Sequence, residues 1–298
     1  MDIIKIKKAP KVEDKRFDIS LYHNYTIDFV NTLNDKNLNI FFNNLPSLRV
    51  EGVYQDEMNL PYASGEYNPW LNKIKYNKLK LKESIMHELL HSASRIKTED
   101  RCFVGFMQTL PNEYCIGVGL NEGYTALLDD RYFLDYSEHK KEQVNQIYPC
   151  SKYICNILDY LIGKDKMEEY YFNADLLSLY KELASYSNYN KAYKFLMNFD
   201  NYFMESDTKE IPNMVKVINE YDDIILFLSE CFMTKFRQMY NNKELTKDEY
   251  DKCLLFVKHI MNTPLEYFKV IKSRKLNIFY NKLLNKVNNK VDNKSKVK

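Results

Sequence analysis

Six of the seven glycines in this 298-residue chain fall between Gly52 and Gly123, and the seventh is Gly163. Glycine is the default residue for tight turns, positive φ and close backbone approach. Sharp reversals are therefore concentrated in one stretch of the first half. The nearly glycine-free remainder is left to helices joined by Asn, Asp and Pro turns. The distribution divides the chain into a mixed part and a helical part, an α+β arrangement.

Local patterns agree with this division. Ile27 to Leu45 has helical spacing, and Leu48-Arg49-Val50-Glu51 is a short strand. Gly65 to Tyr76 places two β-leaning runs around Asn68-Pro69, a hairpin signature. Leu81 to Ile96 is helical. Cys102 to Met107 and Tyr114 to Val118 alternate around Leu110-Pro111-Asn112-Glu113, which predicts a second hairpin, and a helix begins near Asn121. Apolar periodicity then marks helices at 151–163, 165–186, 190–204 and 212–240. Thr246-x-x-Glu249 and Thr263-Pro264-x-Glu266 are capping boxes that predict helices at 247–262 and 264–284. The expected organisation is an N-terminal arm over 1–19, a mixed α+β unit over 20–135, a helical subdomain over 136–284, and a frayed, disordered basic tail over 285–298.

Histidine is as scarce as glycine, with 5 in the chain, and two of them form His87-Glu88-Leu89-Leu90-His91. On a helix, residues four apart share a face, so both imidazoles can reach one zinc ion. Glu88 lies about 100° round the helix from His87, within reach of a water on the metal. A zinc site of this kind needs a third protein ligand. The pattern H-E-x-x-H-x-x-G-x-x-H is excluded, because Ser94 and Lys97 occupy the required Gly and His positions. What remains is a distant histidine (His23, His139 or His259) or a glutamate on a second helix. Gly119-Leu120-Asn121-Glu122-Gly123-Tyr124 fits the second option, with Glu122 expected in the first turn of the helix.

His87-Glu88-x-x-His91 followed by Asn121-Glu122-Gly123-Tyr124 resembles the gluzincin zinc metallopeptidases, and its second motif is similar to that of the gluzincin aminopeptidases. The resemblance covers about Gly65 to Tyr132. It implies a zincin-like fold and one Zn²⁺ per chain, held by His87, His91 and Glu122, with Glu88 as general base. It also implies an edge strand lining the cleft, for which Lys73-Ile74-Lys75-Tyr76 is the candidate. Thermolysin-like members carry an acid four residues after the ligand Glu, where this chain has Ala126. Asn121 and Asp129 are the candidates for supporting a ligand histidine. The Gly-x-Met-x-Asn motif that grips a free N-terminus in the aminopeptidases is absent, so an endopeptidase is favoured. Oxyanion donors are usual in such sites, and Tyr124, Tyr132, His139 and Tyr171 are the candidates among the polar side chains.

The expected partner is a peptide or protein substrate. Basic and acidic residues number 43 and 41, for a net charge of +2, which does not indicate a nucleic-acid binder. No apolar run approaches the roughly 18 to 20 residues of a membrane span, and no apolar stretch follows the first lysines as a secretion signal would. The six cysteines form no C-x-x-C pair and read as reduced thiols. These features predict a cytoplasmic protein, monomeric by default. Two rival functions are a non-catalytic zincin fold used as a partner-binding module, and a regulatory protease with a single protein target. A binding relic has no need of a general base, and Glu88 is retained.

Overall fold

The computed structural model describes residues 19–59, 63–109, 114–134, 148–209 and 211–262. The helix expected over 264–284, the second capping box, the terminal arm and tail, and His139 lie outside the described residues. The chain divides after Leu179 into two compact units. It is mixed α+β with small sheets and a helical majority.

The first unit opens with α1 (Ile19–Thr32) and α2 (Asn39–Asn44). These replace the continuous helix expected from Ile27 to Leu45. Asn37 interrupts it, its Oδ1 accepting the Asn39 N–H at 3.3 Å. A three-stranded sheet follows, built from β1 (Arg49–Val53), β2 (Gly65–Asn68) and β3 (Lys73–Asn77) in the order β1-β3-β2. β1 runs parallel to β3, and β2 is antiparallel to it. Val50, Ile74 and Tyr76 are buried on one face, whereas Lys73 and Glu51 pair across the other at 2.8 Å. The expected hairpin is thus β2–β3. Asn72 closes it with φ at 49°, a left-handed conformation that Asn tolerates.

The helix α3 (Leu81–Ala93) packs against this sheet. Beyond it lies an antiparallel meander of β4 (Arg95–Lys97), β5 (Cys102–Val104), β6 (Met107–Thr109) and β7 (Cys115–Ile116). The sequence suggested a single hairpin here. The additional turn falls at Gly105, whose φ is 52°, and converts the first expected strand into β5 and β6. Next comes α4 (Val118–Phe133), entered through Gly117 at φ 80°. A side chain at Gly117 would run into the Phe106 carbonyl oxygen.

Two further helices, α5 (Pro149–Ile162) and α6 (Lys164–Phe172), belong to this first unit. Contacts that the sequence pattern does not reveal hold them there. Gly123 lets the Ser151 backbone approach α4 closely. Arg131 on α4 binds Asp159 on α5 and also Glu168 on α6, the latter at 2.6 Å. Lys36 adds a second cation to Glu168 at 2.8 Å. Removing one member of such a buried network leaves an uncompensated charge. Phe29, Phe41 and Phe133 complete the core beneath α4, with Phe29 stacked on Phe133 at 5.4 Å.

The helix expected over 165–186 is interrupted at Ala174, whose φ is 51°, and Asp175 starts α7 (Leu176–Tyr186) by accepting the Ser178 N–H at 2.9 Å. In the second unit, α8 (Tyr189–Ser206), α9 (Met214–Asn241) and α10 (Lys247–Asn262) pack in sequence. Asn188 and Asn213 cap the first two. Thr246 and Glu249 form the expected capping box, at 2.8 Å and 3.3 Å. Phe195 stacks on Phe227 at 4.8 Å, and Phe232 meets Phe256 edge-on at 5.3 Å.

Between α8 and α9, Glu205 gathers Lys209, the Asn213 N–H and Lys216 at 2.9, 2.9 and 3.3 Å. Lys209 first, then that amide and Lys216, hold its carboxyl down at about 2. The unfolded value is about 4.3. The carboxylate therefore stabilises the fold above the unfolded value, and this contribution is lost as pH falls toward 2. Glu205→Gln should lower the melting temperature at pH 7, with the gap to wild type closing between about pH 4.3 and 2. Thermal melts across that range would show a gap independent of pH if the carboxylate were unimportant.

Among the described residues no helix is long and apolar enough to cross a membrane.

Candidate metal centre

The two histidines project from the same face of α3, as their spacing requires. Their ring centroids are 4.9 Å apart at an interplanar angle of 78°. Glu122 comes from α4, which packs against α3. It is the fifth residue of that helix and so lies in the second turn, not the first. The left-handed entry at Gly117 starts the helix earlier than the Asn121 signal suggested. One carboxylate spans both rings: Oε2 lies 3.4 Å from His87 Nε2, and Oε1 lies 3.4 Å from His91 Nε2. Donor atoms of His87, His91 and Glu122 all lie within 4.8 Å of one another, an arrangement that could hold a metal ion. His23 in α1 and His259 in α10 are not part of this group.

Electrostatics separate the two glutamates. Burial alone would raise the Glu122 pKa, but His91 and then His87 hold it well below the usual carboxylate range. Burial dominates at Glu88, which is 5% exposed, and pushes its pKa up to about 8 against the opposing pull of His91. Glu122, Asp129 and Glu66 raise it further. One carboxylate is thus held ionised between the imidazoles, while the other sits near the pKa that suits a proton carrier at neutral pH.

The surroundings fix these groups in place. Asn121 turns its amide nitrogen to His91 Nδ1 at 3.2 Å, and its oxygen accepts the Phe106 N–H at 3.2 Å. The amide nitrogen only donates, so in this orientation it meets an unprotonated Nδ1; the Nδ1–H tautomer that a metal on Nε2 requires would be held with the amide turned over, its oxygen toward the ring. Gly105 makes room for this side chain, since a Cβ there would strike Asn121 Oδ1. Asp129 is buried on α4, and its charge reaches Glu88. On the sheet side, Tyr67 of β2 lies parallel to the His91 ring.

Three of the hydroxyl candidates are engaged elsewhere. Tyr124 is fully buried and donates to Asp159 Oδ1 at 3.0 Å. Tyr132 donates to Glu168 at 2.8 Å. Tyr171 is fully buried, with its hydroxyl 2.7 Å from Thr125 Oγ1. The edge-strand expectation is also corrected. Lys73-Ile74-Lys75-Tyr76 lies in β3, the central strand, with β1 and β2 on its two sides. Strand order is set by long-range pairing and cannot be read from the strand's own residues. The strand at the sheet edge against α3 is β2. Ser64 and Asn77 form a hydrogen-bonded pair at 2.8 Å. By antiparallel alternation the main-chain groups of Gly65 and Tyr67 point away from β3. Trp70, in the β2–β3 turn, is covered by Lys97 Nζ, 5.4 Å from its ring centroid.

Sequence reasoning did not anticipate the role of Gly65. A Cβ there would lie 2.7 Å from Glu88 Oε1 and 2.8 Å from Ser84 Cβ. Gly65→Ala should therefore displace the Glu88 carboxyl while leaving the histidine–glutamate group in place. A crystal structure of the variant would check this, and an unmoved Glu88 carboxyl would show that its position does not depend on the strand.

Comparisons with family models, with curated proteins and with solved structures found no match for this chain.

Proposed function

We propose that this chain is a zinc-dependent peptidase with a zincin-like catalytic unit, acting as an endopeptidase on peptides or proteins. The observation that carries this reading is the convergence of His87, His91 and Glu122 beside a buried Glu88. Zinc suits the donor set of two imidazole nitrogens and one carboxylate. Zinc bonds of about 2.0–2.2 Å place tetrahedral ligand atoms roughly 3.3–3.5 Å apart. The two nitrogen–oxygen separations here are both 3.4 Å, each to a different oxygen of the carboxylate, and with one donor atom per residue all three lie within 4.8 Å, so a bound zinc would draw them together. A bound zinc ion would act as a Lewis acid and make a coordinated water easier to deprotonate.

The chain's own residues supply the other functions. An extended substrate would add to the open edge of β2, pairing with the main chain of Gly65 and Tyr67. Gly65 of that strand abuts Glu88 and Tyr67 lies beside His91, so the substrate backbone would run past the metal group. Glu88 would take the proton of the attacking water on its carboxylate and deliver it to the departing amine. Burial raises the Glu88 pKa in the metal-free site, and a zinc ion beside it would favour the carboxylate form that accepts the water's proton. Cleavage of a peptide library by zinc-loaded wild type, compared with Glu88→Gln, tests the reading. Absence of cleavage by the zinc-loaded wild type would overturn it.

A further inference from the structure

The two histidines are held differently. His91 is 4% exposed and enclosed: Glu122 faces Nε2, Asn121 faces Nδ1, and the His87 ring meets it edge-on. Its remaining flank is covered by Tyr67, whose ring lies within 9° of parallel with centroids 6.0 Å apart. Offset-parallel rings at such separations attract each other, and their direct geometric effect is to block rotation of the smaller ring.

Tyr67 is itself immobilised. Its hydroxyl donates to Asn72 Oδ1 at 2.7 Å. Asn72 is 1% exposed, and its amide nitrogen donates to the Asn44 carbonyl at 2.9 Å and to Ser47 Oγ at 2.8 Å. Ser92, the residue after His91, also reaches Asn72 Oδ1 at 3.4 Å. Asn44 in turn donates to the carbonyls of Ser92 and Arg95 at 3.0 and 2.7 Å. The tyrosine ring is therefore braced against the C-terminal end of the helix that carries His91. It stands on the same edge strand whose Gly65 abuts Glu88.

We infer that Tyr67 is a positioning residue for His91, holding the imidazole in the orientation that meets Glu122 and a bound metal. The inference rests on the metal-site reading above, and it predicts an effect on metal binding before any substrate is present. Outer-shell partners of metal-ligating histidines contribute about 10- to 100-fold in affinity.

The experiment titrates metal-free full-length protein with zinc in competition with a chromophoric chelator, and records the visible spectrum of the cobalt-loaded protein. Tyr67→Leu should weaken zinc binding at least about 10-fold and alter the cobalt band shape. Tyr67→Phe keeps the ring but loses its bond to Asn72, and should bind zinc more weakly than wild type but more tightly than Tyr67→Leu. Val50→Ala, on the far strand of the same sheet, loosens the core without touching His91 and should bind zinc as wild type does. Far-UV circular dichroism and cooperative melting confirm that each variant is folded. Wild-type zinc affinity in Tyr67→Leu would overturn the inference while leaving the metal site intact. Equal losses in Tyr67→Leu and Val50→Ala would also overturn it, by showing a general packing effect. Failure of the wild type itself to bind zinc would remove the metal-site reading and the inference together.

Discussion

Glu88→Gln should retain about one zinc per chain and lose peptide hydrolysis by about 10²- to 10⁴-fold, the range that a general base contributes. The substitution is nearly isosteric, so the fit of the side chain against Gly65 is preserved. An amide cannot accept a proton from water at neutral pH, so the proton path is broken while the ligand set remains. Burial makes the neutral amide easier to accommodate than the carboxylate, whose pKa is pushed up to about 8 by desolvation. The variant should therefore fold at least as stably as wild type. Metal analysis, melting temperature and library cleavage on one preparation separate these effects. A Glu88→Gln protein that cleaves at the wild-type rate would exclude Glu88 as the base.

His91→Ala acts on the preceding step and should have the larger effect on metal. It removes one of three donors, together with the ring that Tyr67 and Asn121 hold in place. Glu122 loses the neighbour that contributes most to keeping it ionised. Metal content should fall from about one per chain to near zero, and cleavage should fall with it. A linked signal is available in stability. A ligand that binds only the folded state raises stability by about 4 kcal/mol at a thousand times its dissociation constant. Wild type should therefore melt at a higher temperature when zinc is added, and His91→Ala should show no such shift. If the variant retains stoichiometric zinc, the ligand set is not the one assigned.

The clustering of His87, His91 and Glu122 was legible in the sequence because its logic is local. An i, i+4 histidine pair shares a helix face wherever that helix lies, and in a chain with 5 histidines the pair stands out. Glu122 was marked by the glycines and the asparagine around it, although its place within the helix was misjudged by about a turn. The tyrosine candidates could not be sorted in this way. Their side chains are alike in sequence, and each hydroxyl's role depends on a partner far along the chain: Asp159 for Tyr124, Glu168 for Tyr132 and Thr125 for Tyr171.

By itself the sequence determined an α+β chain with its turns gathered in the first half, a helical majority, and a His–His–Glu donor set with an adjacent glutamate, because these follow from residue spacing and backbone preference. Only the tertiary structure decided that β3 is central and β2 lies at the edge, that Gly65 abuts Glu88, and that Asn121 and Tyr67 enclose His91. It also placed α5 and α6 in the first unit. These outcomes rest on pairings between residues distant in sequence, where the free energy of burial and hydrogen bonding, and not local propensity, selects the partner.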